Sequence, residues 1–383
     1  MDKHSLIGTI SSIAFFSILL LALFLLTVKT KNKLSNRLLA FTFLTVALDI
    51  SAYFTSSIAM DYPNLMMLRS NLTFLFSPLL YLYITSVCYA DFKLQPKHLL
   101  HAIPFLIVVL VVTPRYYLVV IQDKLWFTTH FLQLPEGIYI NISGHIQAIA
   151  YLIAMFILLR NYKQVFLQNY ADITLYSYKW LFQLTLITAI AHILVVLQSV
   201  FRMIGKGDVL TTIQILVMLQ LLGVLCWIIL KTMYSPELFR GINSRLHLVE
   251  DSNLTSLPQQ VAGIEEKKYN ANIKEQIDRV RKHMDQESPY LEPALTIQDL
   301  ANQLSLPARE LSVLINHHLD QHFFDFVNEY RINKAMEILK DPSKKELTVL
   351  EILYSVGFNS KSSFNTAFKK YTNLTPTQYR NRV

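Results

Sequence analysis

Charged residues are scarce in this chain of 383 residues, since Asp, Glu, Lys and Arg make up only 16% of it, against about 25% in soluble domains. Hydrophobic residues reach 52% and the mean hydropathy is positive. This composition excludes a disordered chain and disfavours a single, wholly soluble domain. Cysteine is limited to Cys88 and Cys226, which excludes a disulfide scaffold.

Motifs of common enzymes are also missing. The chain has no glycine-rich phosphate loop followed by Lys-Ser or Lys-Thr, no His-Glu-x-x-His and no kinase catalytic loop. His317, His318 and His322 cluster around a predicted helix end, where solvated side chains are a simpler explanation than a metal site. We therefore expect no enzymatic activity, no cofactor and no metal.

Long apolar runs are abundant in residues 1–234. A membrane span needs roughly 20 apolar residues, and the seven candidates are 5–28, 38–59, 72–89, 99–113, 142–159, 180–201 and 209–230. The fourth is the shortest and is broken by Pro104. The runs predict a seven-helix transmembrane sensor domain over residues 1–234, in contact with membrane lipid.

Basic residues are unequally divided between the two sets of loops. One set holds twelve: Lys29, Lys31, Lys33, Arg37, Lys93, Lys97, Arg160, Lys163, Lys179, Lys231, Arg240 and Arg245. The other holds six: Lys3, Arg69, Arg115, Lys124, Arg202 and Lys206. Because the richer loops of membrane proteins are cytoplasmic, we expect a multi-pass protein of the inner (cell) membrane. Its N-terminus is predicted outside and its C-terminal domain in the cytoplasm.

Ionisable groups are few within the apolar runs. Asp49 is the only acid clearly inside one, and His192 lies well inside the sixth. An acid in lipid costs a few kcal/mol unless it is paired, so Asp49 is expected to face the bundle interior. Two main interpretations stay open. These residues form structural hydrogen bonds, or they line a pocket for an unknown signal ligand or envelope partner; ion movement is a third.

Residues 235–269 are polar and predict a cytoplasmic linker. The helical pattern that follows places Ile273, Ile277, Val280 and Met284 on one face, at spacings of four, three and four. This face either packs against the next domain or forms a short dimerising coil, which would give a homodimer. The pattern is too short for a stable coil alone, which favours packing.

Residues 270–383 predict short amphipathic helices separated by tight turns. Capping-box patterns at Thr296–Asp299 and Thr348–Glu351 each begin a helix, turn and helix. The two predicted helix-turn-helix units cover residues 296–319 and 348–371, and the second helix of such a unit can enter a DNA major groove. The predicted fold class is therefore all-α, with a seven-helix bundle and a double helix-turn-helix domain.

Sequence motifs in the second unit are specific. They are Gly357-Phe358-Asn359-Ser360-Lys361-Ser362-Ser363-Phe364, Phe368-Lys369-Lys370-Tyr371 and Thr375-Pro376-x-x-Tyr379-Arg380. They resemble the signature of the AraC/XylS-type transcription regulators, and the membrane half more loosely resembles the sensor part of membrane-bound bacterial members. The resemblance implies sequence-specific binding of double-stranded DNA. Two positions depart from many members, with Thr366 in place of Arg and Asn373 in place of Gly.

Candidate DNA contacts follow from the outward positions of the predicted second helices. Base-reading candidates are Arg309, Ser312, Asn316, Lys361, Ser362 and Asn365, since Arg and Lys can bind guanine and Asn can pair with adenine. Lys369 and Lys370 lie one turn further and suit phosphate. Residues 289–343 hold four basic and eight acidic residues, whereas 344–383 hold seven and two, so the second unit should supply most phosphate attraction.

The predicted function is a membrane-integral, one-component transcription regulator. The bundle would sense the signal, and the C-terminal domain would bind DNA beside the membrane. The alternative is a membrane transporter or receptor whose tail is a protein-interaction module.

Overall fold

The fold is all-α, as predicted. The computed structural model describes residues 3–28, 33–55, 61–89, 91–171, 176–205, 207–234 and 264–382. Within these ranges the backbone forms helices and turns without a strand, apart from one isolated antiparallel bridge between Tyr170 and Thr296. The chain divides into two units, Met1–Arg160 with Tyr176–Ser244 and Asn161–Leu175 with Arg245–Val383.

The N-terminal half consists of long helices and short connections. The α-helices are α1 (Lys3–Thr27), α2 (Lys33–Ile50), α3 (Pro63–Leu72), α4 (Phe76–Cys88), α5 (Ile103–Val112), α6 (Ile121–His130), α7 (Pro135–Asn169), α8 (Tyr176–Ile204) and α9 (Gly207–Tyr234). The predicted fourth run is the least regular, because a 3-10 turn precedes α5 and a π turn follows it.

Seven helical stretches in the described part of the chain are long and apolar enough to cross a membrane. They are Leu6–Thr27, Lys33–Tyr53, Pro63–Cys88, Pro96–Tyr117, Pro135–Asn169, Tyr178–Ile204 and Val209–Leu230. Their number and order confirm the seven predicted helices. The fifth differs most, since α7 is a continuous helix of 35 residues, whereas its apolar run covers only 142–159.

Among the membrane-length helices, packing brings together distant parts of the sequence. Helix α1 packs against α2 and α9, α2 packs against α4, and α8 packs against α9. Some buried polar groups pair across helices, as in the 3.0 Å hydrogen bond from the Ser86 hydroxyl to that of Ser35, which offsets the cost of burying them. Phe16, Leu20 and Leu110 are exposed, which suits a surface that faces lipid rather than water.

The unit that contains the C-terminal domain, Asn161–Leu175 with Arg245–Val383, has shorter, amphipathic helices. They are α10 (Ile264–Glu287), α11 (Ile297–Leu304), α12 (Ala308–Val313), α13 (Phe323–Lys340), α14 (Val349–Ser355), α15 (Lys361–Thr372) and α16 (Pro376–Arg380). Capping boxes begin α11 at Thr296 and α14 at Thr348, at the predicted positions, and a third begins α16 at Thr375. Each satisfies two backbone N–H groups that the first helical turn leaves free.

Helix α10 begins inside the predicted linker, of which residues 235–263 lie outside the described residues. Val280 and Met284 of this helix are buried in the core formed with α11, α12 and α13, while Ile273 and Ile277 are half-buried. The structure therefore supports packing against the following domain, the first of the two interpretations of this apolar face.

Candidate nucleic-acid interface

Helices α11 and α12 form the first helix-turn-helix unit. Leu300 and Leu304 of α11 pack against Leu311 of α12 and Ile315 in one core. The chain reverses at Ser305, whose φ of 53° lies in the left-handed region. This turn lets a helix of eight residues lie against α12 and leaves the opposite face of α12 to solvent.

Helices α14 and α15 form the second unit around a separate core. Phe364 and Phe368 of α15 are fully buried with Ile352 of α14. The turn depends on Gly357, which has a φ of +88°, and a Cβ added there would lie 2.6 Å from the carbonyl oxygen of Tyr290. Only glycine can adopt this conformation beside that backbone without strain.

Helix α13 joins the two units through a buried arginine. The guanidinium of Arg331 donates to the carbonyl oxygens of Tyr290 (2.7 Å), Glu292 (2.8 Å) and Ala171 (3.1 Å). It also lies 5.6 Å from the centre of the Phe358 ring, in the turn of the second unit. Because Arg331 is 0% exposed, these contacts position the turn of the second unit against the first.

Asp325, in the first turn of α13, makes a second connection with α15. Its carboxylate accepts a hydrogen bond of 2.6 Å from the Lys370 ammonium, and its backbone carbonyl accepts one of 2.8 Å from the Tyr371 hydroxyl. Burial, and then the nearby charge of Asp325, raise the pKa of the Tyr371 phenol. The hydroxyl therefore remains a neutral hydrogen-bond donor at physiological pH.

In the first helix-turn-helix unit, the three candidate DNA contacts differ in their exposure to solvent. Arg309 is exposed on α12, as expected for a base contact. Ser312 was predicted to point outward, but it is only 6% exposed, because it belongs to the packed face and is covered by Asn316. The Asn316 amide donates to the Ser312 backbone and hydroxyl oxygens at 2.8 and 3.1 Å, and its oxygen lies 3.1 Å from His322 Nδ1.

The end of the first recognition helix is not α-helical. After Val313 the backbone continues as a π turn over Leu314–His318, which the 3.1 Å bond from Leu319 N–H to the Leu314 carbonyl closes. A π turn adds one residue per turn and rotates the positions beyond it. His317 and His318 are therefore exposed while Asn316 is half-buried. Among the described residues no group of three or more His, Cys, Asp or Glu could hold a metal ion.

The second unit presents a longer polar face. Lys361, Ser362 and Lys369 are exposed on α15, and Asn365 is half-buried. Lys370 is also exposed, but its ammonium is paired with Asp325 at 2.6 Å. The carboxylate beside this ammonium partly cancels its charge, so Lys370 should attract a second anion less strongly than an unpaired lysine does. Lys369 forms no ion pair among the described residues.

Thr366 belongs to the same face and was not among the predicted contacts. It lies four residues after Ser362 and three before Lys369, and it is exposed. Its hydroxyl donates to the Ser362 backbone carbonyl at 2.8 Å. The helical spacing is the sequence signal that identifies this position.

Comparison with known proteins supports this geometry. Residues 300–382 match the family model of a helix-turn-helix domain. The chain is 34% identical over 86 residues to the uncharacterized HTH-type transcriptional regulator YdeC of Bacillus subtilis, covering 22% of this chain and 28% of that protein. It is 32% identical over 87 residues to the melibiose operon regulatory protein of Escherichia coli, covering 23% and 28%.

The C-terminal domain is a helix-turn-helix domain of the AraC/XylS type. A solved structure, the C-terminal domain of AraT, a response regulator from Geobacillus stearothermophilus, aligns at 31% identity with a TM-score of 0.25. That alignment covers 27% of this chain and 85% of the solved one. The chain spans little more than a quarter of the length of the curated relatives named above. These relatives bear the names of transcription regulators and not of enzymes, which agrees with the expectation that this chain is not an enzyme.

The helix-turn-helix domain accommodates the second departure from the family pattern. Asn373 ends α15 with a φ of 58°, and its N–H donates to the Lys369 carbonyl at 2.9 Å. Asparagine is the residue that most readily replaces glycine in this left-handed position. The domain therefore keeps its turn before α16 without glycine.

The candidate sensing residues lie in the unit of membrane-length helices, Met1–Arg160 with Tyr176–Ser244, at two separate places. Asp49 was expected to face the bundle interior, but it is exposed near the end of α2, where Arg69 and Arg202 act electrostatically on its carboxylate. Asp49 forms no ion pair among the described residues, so the two arginines act on its carboxylate only at a distance. The half-buried ring of His192 lies 5.3 Å from that of His145, and its Nε2 has no hydrogen-bond partner in the described chain.

Proposed function

We propose that this protein is a membrane-integral transcription regulator that binds specific double-stranded DNA through its helix-turn-helix domain. The observation that carries the proposal is that one chain has exposed polar faces on α12 and α15 and, in its described part, seven helices of membrane-spanning length. The relatives match only the DNA-binding part, so the membrane location and the sensing of a signal rest on this chain alone.

In the first unit, Arg309 is the proposed base-reading residue. It is exposed, and a guanidinium can bond both O6 and N7 of guanine. Ser312 and Asn316 take a supporting role in this proposal. Their hydrogen bonds fix the helix end, and the half-buried Asn316 amide reaches a base only if it exchanges its bonds to Ser312 and His322.

In the second unit, Lys361, Ser362 and Asn365 are the proposed base-reading residues, and Thr366 joins them. Lys369 lies further along the same exposed face, where a phosphate is its natural partner. Lys370 is proposed as a weaker phosphate contact, because Asp325 already neutralises it.

The base-reading proposal is tested with the full chain in lipid nanodiscs. A duplex recovered by DNA capture and its scrambled counterpart are titrated against wild type and Arg309→Ala. The substitution should cost about 1–3 kcal/mol on the captured duplex and relax the preference at one base pair. Asn333→Ala, at an exposed position of α13 outside both recognition helices, is the control and should leave discrimination unchanged. Equal discrimination by wild type and Arg309→Ala would contradict the assignment of this face.

The signal is proposed to reach the membrane helices either at their outer end, near Asp49, or at His192. Asp49→Asn removes the charge on which Arg69 and Arg202 act electrostatically and keeps the shape of the side chain. We expect an altered transcriptional response with normal accumulation of the protein. Loss of the protein from the membrane would assign Asp49 a purely structural role.

The proposed location is the inner (cell) membrane, with lipid around the bundle, the N-terminus outside and the DNA-binding domain in the cytoplasm. Double-stranded DNA, an unknown signal ligand or envelope partner, and a second copy of the chain are the proposed partners. A transporter or receptor with a protein-interaction tail is the competing function. It predicts that the full chain discriminates no DNA sequence in the titration above.

A further inference from the structure

The turn after α7 contributes to the core of the helix-turn-helix domain. Ala171 is 0% exposed and belongs to the same cluster as Leu300, Leu311 and Phe326. In the sequence it lies between the fifth and sixth spans, far from these residues. Residues 161–171, the docking segment, also group with the C-terminal unit rather than with the membrane helices.

Both backbone polar groups of Ala171 are satisfied by the DNA-binding domain. Its N–H donates to the Leu295 carbonyl at 3.2 Å. Its carbonyl accepts from Asn328 Nδ2 at 3.3 Å and from Arg331 Nη1 at 3.1 Å. With the isolated antiparallel bridge from Tyr170 to Thr296, these bonds hold the backbone of the segment against the domain, and backbone hydrogen bonds of this kind are a known source of affinity for extended segments.

We propose that the docking segment is an intramolecular ligand of the DNA-binding domain, through which the fifth membrane helix controls the orientation of the two helix-turn-helix units. The part of this proposal that concerns DNA affinity rests on the function proposed above. The docking itself does not, because it is defined by contacts between residues of this chain.

Arg331 is the reason that docking affects both units. The guanidinium that binds the Ala171 carbonyl also binds the Tyr290 carbonyl and lies against the Phe358 ring. A displaced Ala171 would leave a buried donor of Arg331 without this acceptor, which is costly in a protein interior. The arginine would shift toward another partner, and the turn at Phe358 would lose its fixed position.

Helix α7 gives the segment a stiff connection to the membrane. At 1.5 Å per residue its 35 residues measure about 52 Å, more than the hydrocarbon thickness of about 30 Å. The loop charges independently predict that residues 161–171 and the C-terminal domain lie on the same side of the membrane. Movement of the fifth helix would therefore act on Ala171 more directly than through the polar linker.

Docking leaves the recognition faces uncovered. Arg309, Lys361 and Lys369 are exposed in the structure in which Ala171 is buried. The docked state is therefore the DNA-binding state in this proposal, and undocking lowers affinity by loosening the two units.

The docking is tested in the full chain in nanodiscs, in a background without the native cysteines. Tyr170→Cys combined with Thr296→Cys should form a disulfide on mild oxidation, because antiparallel neighbours lie within its usual Cα separation. The two chain parts should then stay joined after proteolysis at a site engineered into the linker. Tyr170→Cys with Ser362→Cys, on the exposed face of α15, is the matched control and should not cross-link. Absence of the first cross-link overturns the docking.

The coupling is tested by filling the buried position. Ala171→Arg should abolish the cross-link and weaken binding to the captured duplex roughly tenfold, whereas Ala171→Gly keeps the backbone bonds and should change little. Ala171→Leu should give a smaller loss in the same direction, which decides the question if the arginine variant fails to accumulate. Lost docking with unchanged DNA affinity overturns the coupling. A wild type that binds no specific DNA overturns the proposed function and the coupling together, while the cross-link still decides the docking.

Discussion

At the scale of single residues, neighbouring lysines of α15 differ in whether they are free to bind a phosphate. Lys369 and Lys370 are both exposed, but within the described ranges only Lys370 has a carboxylate nearby, that of Asp325 at 2.6 Å. The same number of charges in the sequence therefore does not mean the same number of phosphate contacts.

Salt dependence distinguishes the two lysines. Lys369→Ala should weaken binding to all duplexes alike and lower the slope of log affinity against log salt by about one unit. Lys370→Ala should lower it by less, because its charge is already paired. Asp325→Asn is the control and should strengthen binding by freeing Lys370. Titration of the full chain at several salt concentrations gives the slopes, and equal losses for both lysines would contradict this difference.

The sequence predicts the exposure of a side chain correctly where that exposure depends on helical spacing alone. Arg309, Lys361 and Lys369 are exposed as the spacing predicts. Ser312 could not be placed in this way. It is small enough to enter the packed face of α12, and the amide of Asn316 covers it.

At the scale of elements, two residues with positive φ set the turns of the second unit. Gly357 allows the turn between α14 and α15, and Asn373 ends α15. Gly357 has no room for a side chain, because an added Cβ would lie 2.6 and 2.9 Å from two backbone carbonyl oxygens. The tolerance of each turn to substitution should differ accordingly.

Gly357→Ala should destabilise the domain by more than the roughly 1–2 kcal/mol of a left-handed alanine, since the backbone of Tyr290 must also move. Gly205 is the matched control, with a φ of +76° and nothing within 4 Å of an added Cβ, so Gly205→Ala should show only the conformational cost. Asn373→Gly should be nearly neutral. Thermal unfolding of the purified chain is monitored by protease cleavage within each unit, so that the loss at Gly357 is measured in the C-terminal domain and the loss at Gly205 in the unit that contains α8 and α9. Equal losses of stability in Gly357→Ala and Gly205→Ala would show that backbone crowding at Gly357 adds nothing to the conformational cost.

Local patterns explain why most elements could be predicted and some could not. Capping boxes and apolar spacing located α11, α14 and α15, because their signals lie within a few neighbouring residues. The π turn at Leu314–His318 has no such signal. The burial of Ala171 depends on Arg331 and Asn328, which lie more than 150 positions away, so no local pattern could predict it.

At the scale of the whole molecule, the proposed topology requires that the N-terminus lies outside and the C-terminal domain lies in the cytoplasm. Reporter fusions after Lys31, Gln133, Lys206 and Arg245 should read inside, outside, outside and inside, because the loops with more basic residues are cytoplasmic. Substitution of Lys29, Lys31 and Lys33 by Gln is the control and should weaken the first inside signal. An outside signal after Arg245 would contradict the proposal, since the helix-turn-helix domain could not reach DNA.

The central claim is that one intact chain lies in the membrane and binds specific DNA at the same time. DNA cross-linked in growing cells and recovered with the tagged, full-length chain from washed membranes tests it most directly. We predict discrete enriched genomic segments that are lost with Arg309→Ala combined with Lys361→Ala. Enrichment only with a soluble C-terminal fragment, or no discrete segment from the membrane fraction, would contradict the account.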